Sequence, residues 1–401
     1  MSLFDQKGFR GASHRSGPVQ RVEIGVSSAT PGYLPGTMRE GTWSVELETH
    51  WIHPASRCSY TLEIDVLQSN LAQPMIIPED ARDEVMVNPA EGWYRGDLHT
   101  HTVHSDGVIE AQHLLSIAKE NGLDFIALTD HNTISGLRDF LRSPVPGLLA
   151  IPGMELTTFR GHALAVGIVE WMDWRTGFEG REMAQNVLDT LSASGLFIIA
   201  HPIHEDDPVC TGCSWRYADT MPGKAHGVEV WNGAWNDRNE QSLHLWYEWL
   251  NKGHRITGTA GTDCHAPQYG KTQERNVGLN VVNSRSLSRS AILEGIRKGR
   301  LYLSCGPEIS LRGKCGRGQW VPIGGAMEGR EQDIEVGWRK CPEGSNFRLI
   351  IDGSVGEKWA ATTEGTKSLS LTDSAVRWCL VELRDLKGQM AALTNPIYIN
   401  R

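Results

Sequence analysis

The chain has 401 residues, 40% of them hydrophobic and 22% charged, with a formal net charge of −9. That length accommodates two or three domains and a large core, and the acidic balance argues against a nucleic-acid coat or a membrane-surface binder. No apolar run is long enough to span a bilayer. Met1 to Gln20 lacks the apolar stretch of a secretory signal, so a cytoplasmic location is expected.

Residues 1–18 are rich in glycine, serine and charge and read as a mobile or surface-draped tail. Alternating apolar runs at Val22–Val26, Trp43–Thr49 and Tyr60–Val66 predict a small β module, and Asn88–Gly92 reads as a linker. From Trp93 the pattern changes to strand and helix in alternation. Strands are expected at Tyr94–Leu98, Phe125–Leu128, Leu148–Ile151, His162–Val169, Leu196–Ala200, Val228–Trp231 and Arg255–Thr259. Helices are expected at Ile109–Asn121, Glu182–Ser194, Asn239–Lys252 and Ser288–Lys298, each followed by glycine. Repeated βα units imply parallel strands. About seven of them without a dinucleotide-type glycine turn suggest a barrel, whose chemistry sits at the carboxyl ends of its strands. From Gly306 onward six or so short strands with no helix between them read as a β-sandwich.

The polar residues that end these strands carry the functional reading. His99 and His101 are two apart on a strand end, so both face one side. Alone, the pair is a weak signal. Asp130-His131, Glu155, His162, His201 and Asp263 with His265 recur just beside later apolar runs, and twelve of the fifteen histidines lie between His99 and His265. With Asp106 the candidate metal ligands are His99, His101, Asp106, His131, Glu155, His162, His201, Asp263 and His265. Six imidazoles and three carboxylates suit zinc, manganese or iron and are too nitrogen-rich for a calcium or magnesium site. Nine donors suit two or three ions bridged by a carboxylate. Water bound to such ions has its pKa lowered towards about 7, so hydrolysis by metal-bound hydroxide needs no serine or cysteine nucleophile. Cys210-Thr-Gly-Cys213, with His204 and His226 beside it, is the one CxxC among eight scattered cysteines. It lacks a second ligand pair at finger spacing, which leaves a local zinc or redox role as its functional reading.

The segments DLHTHTVHSDG, TDHN, GMELTT, GHALAVG, AHP and GTDCH, in this order between Trp93 and Cys305, resemble the motifs of the PHP (polymerase and histidinol phosphatase) domain. The resemblance implies a distorted (β/α)7 barrel of metal-dependent hydrolases. It places His99, His101, Glu155 and Asp263 on a first ion. Glu155, His162 and His201 would hold a second, and Asp106, His131 and His265 a third, with His104 an alternative to Asp106. Asp97 and Asp130 precede ligands and are expected to orient imidazole N–H groups. Glu229 and Asn232, at a strand end, are read as supporting residues or substrate contacts. Trp231 and Trp235 either line the pocket or belong to the core.

The expected organisation is an N-terminal tail and β module (1–91), a barrel (92–305) and a β-sandwich (306–401). The family's phosphoesterase members make a small phosphorylated ester the leading substrate. Arg160, Arg216, Lys271 and Arg275 are candidates to hold its phosphate. Only 38 residues separate His162 from His201, too few for the inserted segment of the nucleotidase branch. The flanking β modules resemble the CehA/McbA-type branch, which makes a carboxylic or carbamic ester the alternative substrate. A non-catalytic binding module stabilised by metal is the third reading.

Overall fold

A computed structural model describes the chain except residues 16, 50–51, 68–83, 176–180, 206–209, 211, 218–221, 267–275, 317, 330–331, 372–374 and 401. Three N-terminal strands, β1 (Ser2–Asp5), β2 (Gly8–Ala12) and β3 (Ser44–Glu46), form a sheet in the order β2-β1-β3. Residues 2–12 of the segment expected to be mobile or surface-draped form a β-hairpin. Val22–Val26 contributes only an isolated bridge, Ile24 to Ala29, and Tyr60–Val66 is exposed and carries no strand. β4 (Met86–Asn88) leads into the central part.

There the order is β5 (Gly92–Asp97), α1 (Ala111–Glu120), β6 (Phe125–Leu128), α2 (Leu137–Arg142), β7 (Leu149–Thr158), β8 (Gly161–Val166), α3 (Arg181–Ser192), β9 (Leu196–Ile199), β10 (Gly227–Asn232), α4 (Asp237–Asn251), β11 (Thr257–Gly261), β12 (Leu279–Ser284), β13 (Leu287–Ser288) and α5 (Arg289–Arg297). The remainder is β14 (Leu301–Ser304), β15 (Glu308–Cys315), β16 (Val321–Pro322), β17 (Ala326–Glu328), β18 (Gln332–Arg339), β19 (Asn346–Ile351), β20 (Ser354–Ala360), β21 (Gly365–Leu371), β22 (Trp378–Arg384), β23 (Met390–Thr394) and β24 (Ile397–Asn400).

A mixed sheet runs β11-β10-β9-β8-β7-β6-β5-β12-β14-β23-β22-β19-β20. β6 and β9 are buried at every position, as expected of strands covered on both faces. β5, β6 and β7 pair in parallel, as do β9, β10 and β11. The expectation of uniform parallel strands fails at β8, which is antiparallel to both β7 and β9. The physical reason is the tight Phe159-Arg160 turn, too short for a crossover helix. No backbone ladder joins β11 to β12 among the described residues. Instead Asn280 Oδ1 accepts from Ala260 N at 3.0 Å, and Asn280 Nδ2 donates to Ala260 O at 2.6 Å. Asn395 makes the same pair of bonds to Gly258, at 2.8 and 2.9 Å.

The C-terminal strands fall into two groups. β16-β15-β18-β21 is a sheet of its own, whereas β14, β23, β22, β19 and β20 continue the central sheet. Trp338 of β18 meets Phe347 of β19 with ring centroids 4.9 Å apart. No helix among the described residues is long and apolar enough to cross a membrane.

The N-terminal sheet is docked beside the carboxyl ends of the central strands. Phe9 stacks on Trp171 at 4.3 Å and 10°, and the Arg175 guanidinium lies over Phe4 at 4.2 Å. Thr133 Oγ1 donates to Gly32 O at 2.7 Å, while Gly32 N donates to Ser135 Oγ at 3.0 Å. Desolvated aromatic pairs and such directional bonds contribute about 1 kcal/mol each.

Candidate metal centre

Glu155 lies at the centre of the cluster. β7 carries it at a position where the bridge from His131 brings the end of β6 alongside, and the β7–β8 hairpin brings His162 to the same side. Its carboxylate is fully buried, with one oxygen facing three imidazoles and the other facing two. Oε2 lies 3.2 Å from His99 Nε2, 3.3 Å from His101 Nε2 and 3.0 Å from His131 Nδ1. Oε1 lies 3.1 Å from His162 Nδ1 and 3.4 Å from His201 Nε2. Asp263, following β11, places Oδ1 3.1 Å from His101 Nε2 and 3.4 Å from His99 Nε2. Towards the rim, Asp106 Oδ1 lies 3.1 Å from His265 Nε2 and 3.6 Å from His131 Nε2.

Ligand atoms within 4.8 Å of one another form four overlapping groups here: His99, His101 and Glu155; His99, His201 and Asp263; His131, Glu155 and His162; and His101, Asp106, His131 and His265. All nine sequence-predicted ligands fall in these groups. His131 stands with Glu155 and His162 as well as with Asp106, and His101 reaches the rim group. His104 is not in the rim group; its Nδ1 pairs with Ser135 Oγ at 2.8 Å.

The donor set fits divalent ions. His99 Nε2, both ring nitrogens of His101, His162 Nε2, Asp106 Oδ1 and Glu155 Oε2 are buried without a hydrogen-bond partner. Leaving such buried atoms unsatisfied costs on the order of 1–3 kcal/mol each, and a shared cation would satisfy them together. Charge is arranged accordingly. Burial opposes ionisation of Glu155 and Asp263, yet the imidazoles around them hold both well below the usual carboxylate range. Burial keeps His162 neutral, with its pKa lowered to about 4. At the half-exposed rim, Asp106 and Asp263 overcome burial and raise His265 to about 9.

Supporting residues hold the ligands in place. Glu229 faces His99 Nδ1 at 3.1 Å, accepts from His201 N at 3.1 Å, and accepts from Asn232 Nδ2 at 2.9 Å. Asn232 Nδ2 also reaches Asp263 Oδ2 at 3.3 Å. Asp97 and Asp130 act on the turns that carry ligands, where orientation of imidazole rings was expected. Asp97 Oδ1 accepts from His99 N and Thr262 N, both at 3.1 Å. Asp130 accepts from Thr102 N at 2.8 Å and from the Thr102 and Ser105 hydroxyls. His201 (φ 23°) and Asp263 (φ 52°) have left-handed backbone, strain that clusters at functional sites.

The substrate candidates are less converged. Arg216 N donates to Arg160 O at 2.6 Å, so the two arginines are neighbours; Arg160 is half-buried and Arg216 exposed. Lys271 and Arg275 lie outside the described residues. Trp231 and Trp235 are buried against each other at 5.1 Å.

Two residues escaped the sequence reading. Gly261 has no room for a side chain: a Cβ would sit 2.1 Å from Glu229 Oε1 and 2.5 Å from His99 Cβ. Its signal was its place two residues before Asp263. His14, from the supposed tail, lies with its ring 4.2 Å from that of His131. Arg15 anchors that segment by donating Nε to Ser105 O at 2.9 Å. No local pattern announces a contact across more than a hundred residues.

Glu229→Ala is expected to weaken metal binding about 10–100-fold, the usual cost of removing a carboxylate behind a ligating imidazole. Competition against a chelator measures it. Wild-type affinity in the variant would remove Glu229 from the set.

The PHP domain family matches residues 97–166. An uncharacterized protein of Methanocaldococcus jannaschii is 29% identical over 155 residues, covering 36% of this chain and 84% of the relative. A 5'-3' exoribonuclease of Haemophilus influenzae is 36% identical over 63 residues, covering 16% of this chain and 23% of that enzyme. A solved two-domain protein of Bacteroides vulgatus, described as containing a predicted PHP-like metal-dependent phosphoesterase, superposes with a TM-score of 0.43 and 15% identity. The superposition covers 78% of this chain and 98% of the other.

Proposed function

We propose, for a chain that carries a PHP domain, that it hydrolyses phosphoric esters of small molecules with two or three manganese, zinc or iron ions held by the nine residues above. The observation that carries this reading is Glu155, whose two oxygens are divided among five imidazoles, so that one carboxylate could serve two ions. Bound divalent ions would supply Lewis acidity and an acidified water. The phosphoester preference draws further support from the exoribonuclease relative, whose named activity cleaves phosphodiesters.

The chain's own residues do the positioning. His101 and His162, buried and held neutral, present lone pairs. Glu229 fixes His99, and Asp97 and Asp130 fix the turns that carry the strand-end ligands. Asp106 and His265, with side chains 30% and 36% exposed, face the entrance, where an ester oxygen would arrive. Arg160 and Arg216, neighbours through a backbone hydrogen bond, are the candidate phosphate contacts among the described residues. In this reading β5 to β12 form the distorted barrel, residues 92–305 the catalytic unit and residues 306–401 the sandwich.

The test is an assay of metal-reconstituted protein on p-nitrophenyl phosphate, p-nitrophenyl acetate and a naphthyl carbamate in parallel, with metal per chain measured on the same sample. Phosphate release with two to three metals is expected. Cleavage of the acetate or carbamate alone would replace the phosphoesterase reading with the carboxylic or carbamic ester hydrolase. Firm metal binding with no cleavage would favour a binding module.

A further inference from the structure

A second group of metal-binding donors stands beside the centre just described. His201 is followed by a loop whose base is closed by its own hydrogen bonds. Trp215 N donates to Pro202 O at 3.0 Å, Ser214 Oγ donates to His204 O at 2.7 Å, and His204 N donates back to Ser214 Oγ at 3.3 Å. Within that loop Cys213 N donates to Cys210 O at 3.4 Å. This turn puts both sulfurs on one side. Gly212 makes it feasible: its φ is +80°, and a Cβ there would lie 2.1 Å from Thr158 O.

The two cysteines are joined as a disulfide, with Cα atoms 5.6 Å apart. A ring nitrogen of His204 and both sulfurs lie within 4.8 Å of one another. The imidazole adds a third donor to the two sulfurs. Three converging soft donors suit one ion, because Zn–S near 2.3 Å and Zn–N near 2.0–2.1 Å place tetrahedral ligands about 3.5 Å apart. The other six cysteines are unpaired, so this chain is not built on disulfides.

We propose that His204, Cys210 and Cys213 form a separate thiolate-rich metal site that takes a zinc-like divalent ion when the two cysteines are reduced. A small thiol reductant opens the disulfide: the S–S bond breaks, two electrons pass to it, two S–H groups form, and the reductant leaves as its own disulfide. The ion then displaces the two thiol protons. Three protein donors leave one tetrahedral position to solvent. The site also bears on the neighbouring centre. Cys213 O lies 3.1 Å from His201 Nδ1, and the His201 and His204 rings are 5.2 Å apart, so an ion here fixes the group that orients His201.

Cobalt(II) is the probe, because thiolate ligation gives a near-ultraviolet charge-transfer band that imidazoles and carboxylates do not. Thiol-reduced, chelator-treated full-length protein is titrated with cobalt. A band that saturates at one thiolate-bound cobalt per chain is expected. It should vanish in C210S/C213S, and cobalt binding should weaken about tenfold or more in His204→Ala. Oxidising the wild type with a cyclic dithiol disulfide should expel the ion and erase the band, an arm that does not depend on the variants folding. No band in reduced wild type, or a band that survives in C210S/C213S, overturns the proposal. Neither result depends on any ester being cleaved.

Discussion

Replacing Glu155 by glutamine removes turnover and lowers the metal content of the purified protein, while the fold remains. The substitution keeps the shape and removes the charge that five imidazoles surround. An amide oxygen cannot bridge two cations as a carboxylate does, and the amide NH2 would point a donor at ligating nitrogens. The expected loss is about a thousandfold or more in kcat/KM, or ~4 kcal/mol of barrier at 1.36 kcal/mol per tenfold. Metal analysis should show a deficit shared by neighbouring positions, because Glu155 belongs to two of the four ligand groups. Circular dichroism checks the fold. Wild-type turnover with a full metal complement would dismantle the bridging role, and with it the reading of the site as a multinuclear centre.

The clustered residues were visible in the sequence because most of them follow or open a buried apolar run, and buried runs announce strands without needing a partner; Asp106, in the turn before α1, has no such run beside it. Glu229 and Asn232 were legible for the same reason. Strand direction was not: the apolar run at 162–169 looks the same whichever way it lies, and only the short Phe159-Arg160 turn makes β8 antiparallel. Nor was the junction of β11 with β12, since a lone asparagine inside an apolar strand gives no hint that its amide will bond a neighbouring backbone. Alternation misled in the other direction. Tyr60, Ile64 and Val66 alternate as a strand should, yet they are 76%, 72% and 92% exposed, because no described strand pairs there to bury them. The N-terminal hairpin, with weaker alternation, is ordered by contacts far along the chain, Phe9 on Trp171 above all. Periodicity reports what could be buried. Whether a partner exists is decided elsewhere in the sequence.

Arg384→Met is expected to destabilise the fold by about 3 kcal/mol. The guanidinium joins α4 to β22: Nε donates to Glu382 Oε2 at 2.8 Å, and the terminal nitrogens reach Glu240 at 2.6 and 3.0 Å. Glu382 is 3% exposed and also accepts from Tyr247 Oη at 2.8 Å. Breaking a buried pair by removing one partner costs about 3–5 kcal/mol. The lower end applies because Arg348 still stands 3.8 Å from Glu382. E382M/R384M should recover part of the loss, since it removes the buried Glu382 charge and leaves only Glu240, whose side chain is 36% exposed to water. Equal destabilisation in single and double variants would mean that packing, not charge, was lost. Part of the effect depends on pH. Burial opposes ionisation of Glu240, but Arg384 holds its pKa below the ordinary 4.5. That contribution is present above about pH 4.5 and is lost as the pH falls through the folded-state value, so wild type and variant should converge in acid. Asn239, next to Glu240, bonds the backbone of Asn232 in both directions at 3.0 Å. Loosening α4 should therefore also reach Glu229 and His99, as a smaller loss of activity than of stability, measured well below the unfolding transition.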